Sequence, residues 1–319
     1  MYKVTLSIPV YNVEKYVERA LLSALNQTFE SIEYLIVDDK GTDSSMEIVR
    51  KIIATHPRGN DVHIIDHGSN RGTGATKNSA IDNAQGNYLY FMDSDDEITP
   101  DCISILYEKM SETPVDFIAG SAKCFFQDGS ENTKASSGYT HCDTLVAAPS
   151  EQSVAKLYYL QKVYITVVTW NKLYDINFLR ENSIRCIPHH LNEDNWFTYQ
   201  VILKGTSCRL VSNSTYIHLM QDDSITGRTT HLGLTCRSSE EFYEIVMLKN
   251  NYAKGYKGTP FYSQLVRKNY NFATHYAQAI HTYIHTYIHT YIHTYIHTYI
   301  HTYIHTYIHT YIQECSYFL

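Results

Sequence analysis

An α/β domain built on a mostly parallel sheet is the fold class this sequence predicts, on three observations. Short apolar runs alternate four times with helix-patterned stretches in the first third of the chain, the order that successive βα units produce. Two of those runs, IEYLIVDD and NYLYFMDSDD, stop on aspartates. Ligands of open α/β sheets bind beyond the carboxyl ends of strands, which is where both acid clusters fall.

Each element has a local reason. KVTLSIPVYN is apolar up to a proline and a turn, as a buried strand is. In VEKYVERALLSALNQT, Val17, Ala20, Leu21, Ala24 and Leu25 recur at helical spacing. IEYLIVDD is the second strand. GTDSSMEIVRKIIATH opens with cap-type residues, Asp43 among them, and continues as a helical face of Met46, Ile48, Val49, Ile52 and Ile53. DVHIID reads as a third strand, GATKNSAIDNAQG as a helix closed by Gly86, NYLYFMDSDD as a fourth strand and TPDCISILYEKM as a helix. Further on, DFIAGSAKCFF and SCRLVSNSTYIHLM read as strands, EQSVAKLYYLQKVY and NEDNWFTYQVILKG as helices, residues 128–145 as loop and 238–280 as a helical extension.

Composition narrows the function. A hydrophobic share of 44% and a charged share of 18% fit a globular protein. The formal net charge of −7 argues against a nucleic-acid binder, which shows a basic stripe. Seven cysteines, at 102, 124, 142, 186, 208, 236 and 315, form no CxxC pair, so they read as reduced thiols rather than a disulfide frame or zinc site. MYKVTLSIPVYNV lacks a signal pattern, and no apolar run approaches the roughly 18 residues of a membrane span. The expectation is a cytoplasmic protein, with association at the inner membrane face left open.

FMDSDDE gathers Asp93, Asp95, Asp96 and Glu97 within five residues. Carboxylates this close resist ionising together unless a cation sits among them, and Mg²⁺ or Mn²⁺ favours a few carboxylates plus phosphate oxygens. The plain alternative is a solvated acidic turn that caps the next helix. In IVDDKGTDSS, Asp38 and Asp39 end a strand, where a carboxylate accepts from a base N–H or a ribose hydroxyl. NRGTGATKN has Gly-x-Gly before a helix without the third glycine of a dinucleotide fingerprint. Arg71 and Lys77 there face either phosphate or solvent. His218, in YIHLMQDDSITG, is more often a structural histidine than a ligand to metal or phosphate.

With these residues in order, LSIPVYNVEKYVERALLSALNQTFESIEYLIVDDKGTDSS and NRGTGATKNSAIDNAQGNYLYFMDSDDEITPD resemble family 2 of the glycosyltransferases, enzymes of the GT-A fold. The start Pro9-x-Tyr11-Asn12, the Asn-Gln-Thr helix end, the Val-Asp-Asp strand end and the Asp93-Ser94-Asp95-Asp96 cluster follow the family's order. Weaker likeness continues through WNKLYD, NEDNWF and DSITG. The resemblance implies that Asp38 and Asp39 contact the base and ribose of a nucleotide-sugar donor, expected to be UDP-linked. It implies that Asp93 lies near the ribose and Asp95 holds a divalent metal, Mg²⁺ or Mn²⁺, on the diphosphate. Lys77 stands where many members have Arg. Glu193-Asp194 matches the family's Glu-Asp pair, with Asp194 as general base. Trp170, Asn171 and Lys172 match a motif on the acceptor side.

The implied domain plan is a transferase domain over 1–230, with a nucleotide-binding half (1–115) and an acceptor half (116–230). A helical extension (231–280) and a tail (281–319) follow. The expected reaction is inverting, metal-dependent transfer to a saccharide or lipid-linked acceptor in surface polysaccharide synthesis. Transfer to a polyprenyl phosphate, or an inactive nucleotide-sugar-binding product, are the alternatives.

The tail repeats His-Thr-Tyr-Ile eight times without error from His281 to Ile312. At helical pitch a four-residue period drifts about 40° per unit, so no single face stays apolar. The DNA triplets CAT-ACA-TAC-ATA encode this unit as one repeated tetranucleotide. Slipped-strand replication of such a tract shifts the downstream frame, so the repeat is expected to switch the chain's ending between sister cells.

Overall fold

The structure, a computed structural model, describes residues 1–146, 152–190, 192–221 and 236–274. DSITG and the whole repeat tail lie outside the described residues. The chain forms β1 (Val4–Val10), α1 (Val17–Leu25), β2 (Ile32–Asp38), α2 (Ser45–Thr55), β3 (Val62–Asp66), α3 (Thr73–Asn83), β4 (Tyr88–Phe91), β5 (Glu97–Ile98) and α4 (Cys102–Glu112). It continues with β6 (Phe117–Phe125), α5 (Thr133–Ser137), β7 (Thr144–Val146), α6 (Ser153–Tyr159), β8 (Lys172–Asp175), α7 (Ile176–Glu181), α8 (Glu193–Lys204), β9 (Cys208–Leu219) and α9 (Cys236–Ala253), then α10 (262–274).

A single sheet has the order β3-β2-β1-β4-β8-β6-β9-β5, with β7 also paired to β9. β1 to β4 pair in parallel. β8 lies antiparallel between β4 and β6, and β9 runs parallel to β6. The α/β class holds, and the sheet is more mixed than the first four strands imply. β8 is the element that joins the two halves of the chain edge to edge.

Strand periodicity sorts the core into two layers. Leu89 and Phe91 of β4 pack on one face, with Ala80, Phe117, Leu179 and Phe197. Tyr90 and Met92 pack on the other, with Leu21, Val49 and Leu106. The five α1 residues at helical spacing are the five that the helix buries. On α2 only Val49 of the expected face is fully buried, and Met46, Ile48, Ile52 and Ile53 pack partly exposed against the same cluster. α9 and α10 add Ala253 and Leu265 to the first layer, so the helical extension packs directly on the domain. Among the described residues no helix is long and apolar enough to cross a membrane.

Three local expectations are corrected. Asp43 is not the N-cap of α2; Ser44 is. The Asp43 carboxylate instead accepts from the Ser45 N–H, the Ser45 hydroxyl and the Glu14 N–H, tying the loop after β1 to the loop after β2. Gly86 does not close α3, which ends at Asn83. A Cβ at Gly86 would lie 2.5 Å from the Thr5 nitrogen, so glycine is required there by close approach to β1. The stretch 128–145 is not all loop, because it holds α5 and the start of β7.

Beside Gly86 lies a polar network that an apolar strand pattern does not announce. Glu33 of β2, fully buried, accepts from the Thr5 hydroxyl at 2.5 Å and from the Gln85 N–H at 2.8 Å. The Gly86 N–H donates to the Thr5 hydroxyl oxygen at 2.9 Å. Gly86→Ala therefore forces backbone movement at a packed crossing and is expected to cost about 1–3 kcal/mol of stability. Gly255→Ala, where a Cβ would meet nothing within 4 Å, is expected to change stability by less than about 0.5 kcal/mol. Urea unfolding of the two variants checks the contrast.

Candidate active site

The carboxyl ends of β1, β2 and β4 open on one side of the sheet, as parallel strands must. β1 delivers Pro9, half-buried, and then Tyr11, 45% exposed. Asn12 follows in a left-handed conformation, and its side-chain oxygen accepts from the Thr42 N–H at 2.7 Å.

The β2 end supplies Asp38 and Asp39, both buried. The Asp38 carboxylate accepts from the Lys40 N–H at 2.9 Å, and the Lys40 ammonium approaches it at 3.3 Å. The Asp39 carboxylate accepts from the Arg71 N–H at 2.8 Å and the Gly72 N–H at 2.9 Å. It also contacts His67 Nδ1 at 2.7 Å. Arg71 thus meets Asp39 through its backbone.

Beyond β4, the carboxylates of Asp93, Asp95 and Asp96 lie within 4.8 Å of one another. Their neighbours separate them. Asp96 is fully buried and accepts from the Tyr216 hydroxyl at 2.8 Å and the Leu219 N–H at 2.8 Å, with His218 Nδ1 at 3.0 Å. It therefore ties the acidic turn to β9. Among the described residues no side chain donates a hydrogen bond to the carboxylate of Asp93 or Asp95. Burial first, then Asp95, Asp96 and Glu193, push the Asp93 carboxyl up to about 7 against the pull of Lys77. Burial, then Asp96, push Asp95 up to about 6 against its own N–H, His218 and Arg19. Two half-buried carboxylates that resist ionising are a fitting pair of ligands for a hard divalent cation. Ser94 is buried between them in sequence. The Arg19 guanidinium on α1 donates to the Asp95 carbonyl oxygen at 2.9 Å, holding the turn from the other side.

His218 stays with Asp96 rather than among the clustered ligands. Burial lowers its pKa, but the bond to Asp96 and the charges of Asp96, Asp93 and Asp95 outweigh that and raise it. Its ring stacks on Trp170 at 5.6 Å, and Trp170 stacks on Tyr216 at 4.3 Å and 10°.

Lys77 on α3 reaches neither solvent nor an open phosphate cradle. Its ammonium donates to Glu193 Oε1 at 2.8 Å, and both side chains are less than a tenth exposed. The approach of α3 explains the glycine before it and the glycine in its first turn. A Cβ at Gly74 would lie 2.1 Å from the Ile187 carbonyl oxygen, and one at Gly72, at φ +80°, would lie 3.0 Å from His189 Cα. Gly-x-Gly here lets α3 seat against the 186–189 segment. Asp194, next to Glu193 at the start of α8, is half-buried. Its carboxylate accepts from the Asn195 N–H at 2.7 Å. Burial, then Glu193, push its pKa up against Lys77.

The Trp170–Lys172 triplet is buried throughout. Asn171 lies behind the wall of the site: its side-chain oxygen accepts from the Thr215 hydroxyl at 2.7 Å and the Tyr90 hydroxyl at 3.2 Å, and its amide donates to the Ser121 carbonyl oxygen. The Lys172 ammonium donates to Thr166 Oγ1 at 3.0 Å and to the Val168 carbonyl oxygen. Burial pulls its pKa down to about 7, against the attraction of Asp194. It fixes the 166–168 loop that leads to Trp170. His67, Arg19 and Tyr216 also shape the site and carry no motif. The position of His67 just after β3 was the signal that could have found it.

The family model described as Glycosyl transferase family 2 matches residues 5–180. The chain is 30% identical over 246 residues to a poly(ribitol-phosphate) beta-glucosyltransferase of Bacillus spizizenii, covering 76% of this chain and 35% of that one. It is 28% identical over 231 residues to the glycosyltransferase GlyA of Streptococcus pneumoniae, covering 70% of this chain and 31% of that one. The chain thus spans about a third of these relatives' lengths. Its fold is similar to that of S. aureus TarS 1-349 in complex with UDP-GlcNAc, with TM-score 0.60, 21% identity and coverage of 77% and 66%. It is also similar to the mannosyltransferase PcManGT from Pyrobaculum calidifontis in complex with GDP-Man and Mn²⁺, with TM-score 0.58, 16% identity and coverage of 89% and 74%.

A buried charge left alone is costly, whereas replacing both partners by apolar groups is often neutral. Lys77→Met is expected to destabilise the protein by about 3–5 kcal/mol. The double variant Lys77→Met with Glu193→Met should recover most of that loss. Chemical unfolding of both variants checks this, and equal loss in both would show that packing rather than charge holds the pair.

Proposed function

The chain belongs to glycosyl transferase family 2, and from that membership we propose that it moves a sugar from a nucleoside-diphosphate donor to an acceptor hydroxyl with inversion at the anomeric carbon. The observation that carries the reading is the meeting of two acid sets around one ammonium. The Lys77 ammonium bonds Glu193 and lies in the field of Asp93 and Asp194, and Asp95 stands beside Asp93.

In this reading Asp93 and Asp95 would hold Mg²⁺ or Mn²⁺, which when bound stabilises the charge that builds on the leaving diphosphate. Asp38 and Asp39 face the base and ribose, and Pro9, Tyr11 and Ser94 border the same end of the sheet. Asp194 takes the proton of the acceptor hydroxyl as the new bond forms, and its raised pKa makes it a better base than a solvated aspartate. Lys77 pairs with Glu193 and, with it, sets the field at Asp194. Trp170 and Lys172 shape the acceptor side, with Asn171 behind them. UDP-sugars are the first donors to test and GDP-sugars the second. A cell-surface polymer acceptor is favoured by the poly(ribitol-phosphate) relative. The repeat tail is read as a product of tetranucleotide slippage that varies the chain's ending.

The test is nucleotide release from UDP- and GDP-sugars with Mn²⁺, with and without candidate acceptors. Asp194→Asn is expected to lower transfer by roughly a hundred- to ten-thousandfold while donor binding stays as in the wild type. Transfer needs Asp194 ionised, so in the wild type kcat/KM should fall with acid at a pH above the usual carboxylate range. Retained transfer in Asp194→Asn would remove the assignment.

A further inference from the structure

Asp39 is held by more than the turn it belongs to. Two backbone N–H groups, of Arg71 and Gly72, bond its two oxygens, and His67 Nδ1 lies 2.7 Å from Oδ1. The other ring nitrogen of His67, Nε2, lies 2.8 Å from the hydroxyl oxygen of Ser79 on α3. The backbone N–H of His67 donates to the Asp38 carbonyl oxygen at 3.1 Å. The His67 side chain is 2% exposed and that of Asp39 3%.

An ionised carboxylate only accepts, so the nitrogen that faces it must carry a hydrogen. His67 therefore presents Nδ1–H to Asp39, while Nε2 meets a hydroxyl that can donate or accept. Oδ1 takes two donors and Oδ2 one. A carboxylate oxygen accommodates about two, so the open acceptor position belongs to Oδ2. The imidazole is the side chain that fixes the carboxylate plane, and its own plane is set by Ser79.

We propose that His67 is a positioning residue for donor recognition: it orients Asp39 so that Oδ2 accepts from an N–H of the donor's nucleobase. The inference rests on the reading of Asp39 as a base contact. His67 acts through Asp39 on nucleotide affinity and leaves the chemistry at Asp194 alone.

Two substitutions divide the imidazole. His67→Asn puts an amide N–H near the place of Nδ1 and keeps the bond to Asp39. His67→Gln puts it near the place of Nε2 and keeps only the bond to Ser79. Calorimetry with UDP, and with GDP, in the presence of Mn²⁺ gives the affinity, and steady-state assays divide KM from kcat. His67→Asn is expected to bind within about threefold of the wild type. His67→Gln should weaken nucleotide binding and raise donor KM on the order of tenfold or more, the value of a hydrogen bond to a charged group. In both, kcat at saturating donor should hold within about twofold. Equal losses in the two variants, or none in His67→Gln, would overturn the inference.

Asp39→Asn is the reference. If it weakens nucleotide binding and His67→Gln does not, only the role of His67 falls. If Asp39→Asn binds as the wild type does, or if the wild type binds neither nucleotide, the reading of Asp39 falls and takes the inference with it. Nitrogen-15 NMR of histidine in the wild-type chain needs no variant to fold. The His67 Nδ1–H signal should move when UDP or GDP binds, and a signal unmoved at saturation would count against the proposal.

Discussion

The ion pair between Lys77 and Glu193 is the interaction on which the rest of the site depends. Its partners are 116 residues apart and buried. An ammonium and a carboxylate leave water only for each other. Satisfying both requires α3 to come close enough to α8, and that closeness is bought at Gly72 and Gly74, where any side chain would strike the 187–189 backbone. The same ammonium lies in the field of Asp93 and Asp194. Without it, acids from both halves of the chain would repel one another across the crevice. One lysine thus sets how near the strand-end aspartates can stand to the start of α8.

The acids around it do different work because their neighbours differ. Asp96 is saturated by three groups of β9 and serves the fold. Asp93 and Asp95, three residues and one residue away, stand in the same field with no such donors, and burial leaves them reluctant to ionise. Asp39 is anchored by His67 and two backbone N–H groups, whereas Asp38 engages its own turn through Lys40. A run of aspartates in a sequence is therefore not a single feature. Each residue has to be assigned by what donates to it.

That explains which parts were legible from the amino-acid order. α1 and the first four strands were, because their signals are periodic and local, and Val17, Ala20, Leu21, Ala24 and Leu25 are the residues α1 buries. The strand-end acids were legible because topology alone places strand ends together. β5 and β8 escaped notice because two- and four-residue strands carry too little pattern, and their pairing partners are distant in the chain. Glu33 gave no signal within an apolar strand run, yet it is buried and bonded to Thr5 and Gln85. Gly86 looked like a helix stop, and its real constraint is a neighbouring strand. Asn171 looked like a surface of the site and is a knot joining β4, β6 and β9. In each case the deciding partner lies far off in sequence, and nothing local encodes it.

α8 lies where two kinds of packing meet. Toward the sheet, Phe197 sets its ring edge against Phe91 and Tyr174. Toward the chain's end, Trp196 meets the Tyr252 ring edge-on, and the Tyr199 hydroxyl bonds the Lys249 carbonyl oxygen and the Asn269 amide. The stretch shared with the family stops at residue 180, one helix short of α8. The helix that carries Glu193 and Asp194 is thus supported on one side by residues within the matched stretch and on the other by residues beyond it. Substitutions in α9 or α10 can tilt α8 by fractions of an ångström while the strand-end aspartates stay still. Such a seam lets packing at the chain's end bear on Glu193 and Asp194 by a route separate from the strand-end aspartates.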